Sequence, residues 1–183
     1  MNREKTRPSA IHLVAVGPGG IALETLDGLA AELARVFGVS CHVRTDRFDA
    51  AFAHDTSRNQ YHSTAILAAL DRLIEPAEVR VLGVTAMDLF VPILTFVFGE
   101  AQLQGRCGVV STHRLREEHY GLPAREEVLR ERLAKEAVHE LGHTFGLRHC
   151  SDWRCVMAST HAVERLDLKE AEFCASCRRA VTL

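Results

Sequence analysis

The chain has 183 residues and a formal charge of −2, with 47% apolar and 25% charged side chains. That size and balance fit one globular domain and exclude a wholly disordered chain. Lys and Arg total 22 against 24 Asp and Glu, so there is no basic excess of the kind that holds nucleic acid.

In chain order, residues 1–9 read as a mobile tail. The apolar run that follows is short, contains His12 and breaks into Gly17-Pro18-Gly19-Gly20, so it predicts a strand over 11–16 and not a signal peptide. Leu23, Leu26, Ala30, Leu33, Ala34 and Phe37 recur at helical spacing, with Gly38 as the stop. A second strand is expected over 41–48, a polar loop over 49–60, and a second helix over 62–74 ended by Pro76.

The most apolar region, 81–98, contains Asp88 and Pro92, which a membrane span of about 20 apolar residues would not tolerate. It reads as buried strands, one over 79–84 and one over 94–98, with a further strand over 107–112. No membrane partner is expected. Cys41 and Cys107 fall in predicted strands and are expected as buried thiols.

A long helix is expected over 125–145. Leu129, Leu133, Ala137, Leu141 and Phe145 form one apolar row. Glu127, Glu131 and Lys135, and Arg132 with Glu136, are expected on polar faces, pairing partly in solvent. The last forty or so residues are poor in apolar side chains, so a cross-link is expected to hold them.

The chain carries 10 His and 6 Cys, residue types that ligate metals. His139-Glu140-Leu141-Gly142-His143 places two imidazoles four apart on one helical face, where they can share one zinc ion. Glu140, beside the first, can reach a zinc-bound water. Gly146 can turn the chain sharply and return His149 as a third nitrogen. Three protein ligands with one open position are the pattern of a catalytic zinc.

Cys150, Cys155, Cys174 and Cys177 form two pairs across a loop. They can surround a second, structural zinc as four thiolates, which would supply the cross-link. The same four residues are also compatible with two disulfides or with free thiols. A reducing cytoplasm is the expected compartment, and there the zinc site is favoured.

The run H-E-x-x-H-x-x-G-x-x-H from His139 to His149, followed by Cys150-x4-Cys155-x-Met157 and Cys174-x-x-Cys177, resembles the archaemetzincin family of metzincin zinc metallopeptidases. Leu82-Gly83-Val84-Thr85 with Asp88-Leu89, the stretch Phe96-Val97-Phe98-Gly99-Glu100-Ala101, and Tyr120-Gly121 are also similar to that family. The spacer between Met157 and Cys174 holds 16 residues, one fewer than in the family pattern. The resemblance implies His139, His143 and His149 on a catalytic zinc, Glu140 as general base, the four cysteines on a structural zinc, and Met157 as the Met-turn beneath the imidazoles. It further implies an extended peptide lying along an edge strand, for which 95–98 and nearby residues are the candidates.

The expected fold class is α/β. A metzincin-like mixed twisted sheet with helices is expected over 10–146, and a small irregular zinc-stapled subdomain over 147–183, with the cleft between them. The expected function is zinc-dependent peptide-bond hydrolysis. The alternative is a zinc-stabilised peptide-binding module with little or no hydrolysis, and a weaker one is hydrolysis of non-peptide amides. His113, His119, Tyr120 and His161 are candidates for an oxyanion donor or for orienting substrate. The expected partner is a peptide or protein substrate, and a monomer is favoured.

Overall fold

The computed structural model describes residues 8–73 and 79–181. Residues 1–7 of the expected tail, and the expected helix end at Ile74 and Pro76, lie outside the described residues.

The core is a five-stranded sheet in the order β2-β1-β5-β8-β7. β1 (Ala10–Val16), β2 (Ser40–Phe48), β5 (Val79–Thr85) and β8 (Cys107–Ser111) run parallel, and β7 (Gly99–Ala101) pairs antiparallel to β8 at the edge. Parallel strands need crossovers, and helices cover both faces of such a sheet. Ile11 and Leu13 of β1 join a core with α1 (Leu23–Phe37) and α3 (Glu126–Thr144). Val14 and Val16, on the other face, join Ile66, Leu67 and Leu70 of α2 (Ser63–Leu73). That two-sided burial explains why β1, β5 and β8 read as mostly apolar runs rather than as alternating ones. Leu33 and Phe37 of α1 are fully buried, each stabilising the fold by about 1.5–3 kcal/mol relative to exposure.

Three expectations need correction. The segment 94–98 is not a strand of the main sheet: Val97 makes an isolated bridge to Leu89, Phe98 O accepts from Ser111 N–H at 2.8 Å at the end of β8, and the antiparallel neighbour of β8 is β7. The carbonyls of Leu94 and Thr95 accept hydrogen bonds from side chains, not from a ladder. The loop over 49–60 contains structure: a 3₁₀ turn at Ala51–Ala53, then β3 (His54–Asp55) and the start of β4 (Gln60–His62), which form a small sheet with β6 (Leu89–Phe90).

The third correction concerns α3. Arg132, Lys135 and Glu136 are buried, not solvated. The C-terminal segment, with α4 (Val163–Asp167) and α5 (Ala175–Val181), supplies the cover. Arg132 makes two bonds of 2.7 Å to the Asp167 carboxylate and one of 2.9 Å to Leu115 O. Lys135 Nζ donates to Asp167 O at 3.2 Å, and Lys169 Nζ lies 3.8 Å from Glu136. The segment has no separate core: Val156, Met157, Val163, Leu166, Phe173 and Val181 pack into the α1–α3 cluster.

Candidate active site and cysteine cluster

The last turns of α3 bring His139 and His143 to one face, four residues apart. The helix stops at Gly146, whose φ of 91° lies in a region that L side chains avoid. Leu147 N–H donates back to Gly142 O at 3.1 Å, and the chain reverses. This return brings His149 to the pair, with ring centroids 5.2 and 5.1 Å from those of His139 and His143. One nitrogen from each of the three lies within 4.8 Å of the others.

The tautomers follow from the hydrogen bonds. His139 Nδ1 is 2.8 Å from Val156 O, and His143 Nδ1 is 2.8 Å from Leu147 O. A carbonyl only accepts, so each Nδ1 carries the proton. Burial lowers the pKa of all three imidazoles, most of all that of His139, so the rings are neutral. The two Nε2 atoms therefore point lone pairs at each other across 3.1 Å. Neither can donate, so this is repulsion unless a cation lies between them. Second-partner carbonyls of this kind are what orient imidazoles toward zinc. Tetrahedral nitrogens at about 2.0–2.1 Å from zinc would stand about 3.3 Å apart. The donor set fits the ion.

Glu140 is buried beside them. Burial pushes its carboxyl well above the ordinary value, and the charges of Glu136 and Glu100 add to the shift. Its side chain lies against Gly99 of β7: a Cβ there would stand 2.7 Å from Glu140 Cγ. A cleft of about 470 Å³ opens at this point. One wall is 94–101, the floor is α3 with the three histidines, Glu136 and Glu140, and the third side is 159–161.

The cysteines gather next to this floor. Cys150, Cys155, Cys174 and Cys177 have sulfurs within 4.8 Å of one another, and all are free thiols. Cys150 and Cys174 sulfurs are 3.8 Å apart, far beyond the about 2.05 Å of a disulfide. Sulfurs about 2.3 Å from a tetrahedral zinc stand about 3.8 Å apart. A hydrogen bond with Ser176 leads the contacts that lower the Cys174 thiol to about 6, toward the thiolate that a metal needs. The turn 155–158 joins the two clusters: Val156 O accepts from His139, and Met157 O accepts from Cys150 N–H at 2.9 Å. Met157 is fully buried.

Of the other expected residues, His161 lines the cleft with Ser159 and Thr160. His113, His119 and Tyr120 form their own ring cluster, at 5.1 and 4.9 Å, and Tyr120 donates to Arg114 O. Cys107 is buried, whereas Cys41 is half exposed; burial pushes each thiol up to about 12. Sequence reasoning missed Glu100 and Glu136 in the cleft, and also Lys169, which donates to Ala158 O at 2.8 Å behind the turn. Glu136, one turn before Glu140 on α3, could have been found from the helical period, whereas no local period marks Glu100 or Lys169, whose partners are distant in sequence.

The model of Peptidase family M54 matches residues 30–182. The chain belongs to peptidase family M54. A protein named archaemetzincin from Methanocaldococcus jannaschii is 41% identical over 159 residues, which are 87% of this chain and 86% of that protein. A crystal structure described as a zinc-dependent peptidase from Methanocorpusculum labreanum superposes with a TM-score of 0.84 at 31% identity, over 93% of this chain and 99% of that one. Archaemetzincin from Archaeoglobus fulgidus, solved with malonate, gives a TM-score of 0.79 at 36% identity over 93% and 99%. This M54 member is thus a zinc metallopeptidase of the archaemetzincin type, acting on peptide or protein substrates. Among the described residues no helix is long and apolar enough to cross a membrane.

Proposed function

We propose that peptide bonds are cut in the cleft beside Glu140, with His139, His143 and His149 holding a catalytic zinc. The observation that carries this is the pair of Nε2 lone pairs facing each other at 3.1 Å beside a buried carboxyl. When bound there, zinc supplies Lewis-acid polarisation of the scissile carbonyl and acidifies water.

The protein's own groups supply the rest. Glu140 is the general base: buried beside the imidazoles and lining the cleft, it is placed to take a proton from water and pass it to the leaving amine. Val156 O and Leu147 O hold the imidazoles in the required tautomer. An extended substrate would lie along the wall 94–101, ending in the edge strand β7, whose outer side pairs with no other strand among the described residues. Ser159, Thr160 and His161 would close the opposite side.

Cys150, Cys155, Cys174 and Cys177 would hold a second, structural zinc, so two ions are bound per chain. Met157 would be the apolar floor between the sites. We group residues 10–183 as one domain, with an upper part over 10–146 and a zinc-stapled lower part over 147–183. Reduced thiols fit a cytoplasmic protein, and a monomer is the simplest assembly. The metal assignment is tested by counting zinc by native mass spectrometry. Two ions are expected in wild type, and one each in His149→Ala and Cys174→Ser; an unchanged count in either variant removes that site.

A further inference from the structure

The wall of the cleft at 94–96 is held by a side-chain network that begins at the small three-stranded sheet. Arg58 sits at the turn between β3 and β4, beside Asn59 with its φ of 52°. Asp55 fixes that turn by accepting from Ser57 N–H at 2.9 Å and Arg58 N–H at 3.2 Å. From there Arg58 Nη2 donates to Leu94 O at 2.9 Å and to Thr95 O at 3.0 Å.

The guanidinium is itself aimed. It lies 4.2 Å from the centroid of the Phe90 ring, and its Nε donates to Gln60 Oε1 at 2.9 Å. Gln60 is buried, and its Nε2 bonds both Thr95 O at 3.0 Å and Asp88 Oδ2 at 2.9 Å. Asp88 accepts two bonds of 2.7 Å from Arg114, whose guanidinium lies 4.2 Å from the Phe96 centroid. Three consecutive residues of the wall are gripped in this way, Leu94 and Thr95 by their carbonyls and Phe96 by its ring. All three line the cleft. Without these donors the two carbonyls would have no ladder to hold them in place.

We infer that Arg58 is a substrate-positioning residue of this peptidase: through the main chain of Leu94 and Thr95 it holds the wall against which a bound peptide lies. The inference rests on the reading that the cleft beside Glu140 is where peptide binds and is cut. Arg58 is exposed and does not itself line the cleft, so it acts on the wall and not on the reacting atoms. A wall already in place removes an ordering cost from binding. Loss of these two bonds from Nη2 should therefore appear in KM and in discrimination between side chains next to Leu94 and Phe96. A planar guanidinium holds two carbonyls in a fixed geometry that a lysine ammonium reproduces only in part.

The test compares zinc-loaded wild type, Arg58→Met and Arg58→Lys on peptides that differ only at the residues flanking the cut. Arg58→Met should raise KM about tenfold with kcat within about twofold, and it should flatten the ranking among peptides. Arg58→Lys should recover part of both effects, with melting temperature and zinc content unchanged. Unchanged KM and ranking in Arg58→Met would overturn the inference, as would a fall in kcat that tracks a fall in melting temperature. Anisotropy of a fluorescent peptide on Glu140→Ala, with and without Arg58→Met, gives the same comparison without turnover. If wild type cuts nothing but peptide affinity still depends on Arg58, the cutting assigned to the cleft fails while the part of the inference that concerns peptide binding stands. If wild type cuts and neither KM nor affinity responds to Arg58, the reverse holds.

Discussion

Met157 Sδ lies 2.5 Å from where a Cβ on Gly142 would stand. Real side chains do not approach so closely, so only glycine lets Met157 in this position reach the helix between His139 and His143. Gly142→Ala must push Met157 or the helix aside. Such overpacking costs about 1–3 kcal/mol. The expected result is a lower melting temperature together with weaker zinc retention at the histidine site. Met157→Leu keeps the volume and should cost less than about 1.5 kcal/mol with zinc retained. Calorimetry with metal analysis of both variants checks the pair.

The cysteine cluster makes a prediction about reactivity. With metal bound, thiol reagents should modify Cys41 and Cys107 at most, and both slowly, since burial pushes each thiol up to about 12. A chelator should expose four further thiols. Cys174→Ser should lower the melting temperature on the order of 10 °C. Rapid labelling of four or more cysteines in metal-replete protein contradicts the structural site.

Arg132 joins α3 to the C-terminal segment. It bonds Asp167, Leu115 O and Glu117, and its side chain is 6% exposed. Arg132→Met leaves these partners without their cation. Breaking a buried pair costs about 3–5 kcal/mol, and the 43% exposure of the Asp167 side chain places the expected loss at or below the low end. Urea unfolding measures it, and a loss under about 1 kcal/mol would show that the pair behaves as an ordinary surface bridge.

Asp88 couples stability to pH. Burial alone would raise its carboxyl, but hydrogen bonds from Arg114 and Gln60 outweigh burial and hold it below the ordinary value. A carboxyl depressed in the folded state stabilises fully above its unfolded value of about 3.9 and loses that contribution as pH falls through the folded value. Asp88→Asn should therefore be destabilised at pH 6, and its deficit should shrink as pH drops below about 4. Urea midpoints of both proteins from pH 6 to pH 3 report this. A deficit that stays constant would contradict the sign.

Much of the fold is legible because its determinants are local. The 3.6-residue recurrence from Leu26 to Phe37 marks α1, and the mostly apolar, non-alternating runs of β1, β5 and β8 mark strands buried on two faces. The candidate site is legible for the same reason: His139, Glu140 and His143 lie within one helical turn or so, and Gly146 announces the reversal. What escapes the sequence is non-local. Arg132 and Lys135 look solvated on their own helix; Asp167 of α4, more than thirty residues on, covers both, and Leu115 and Glu117 add to the cover of Arg132. Arg58 finds its carbonyl partners 36 and 37 residues away, with no spacing to signal it. The apolar run over 94–98 reads as a strand because alternation cannot tell a ladder from a wall hung on side chains. β3 and β6 have two residues each, too few for any period.

The central claim is that Glu140 moves the proton in peptide hydrolysis beside a histidine-held zinc. Its most direct test is cleavage of a diverse unstructured peptide library, read by mass spectrometry, with zinc-loaded wild type beside Glu140→Ala. The variant keeps all three imidazoles, so it should bind zinc as wild type does while cutting about 10²–10⁴-fold more slowly. Cuts made by wild type and lost in the variant are the predicted result. No cuts from wild type, or the same cuts at the same rate from both, would contradict it and favour a zinc-stabilised peptide-binding protein.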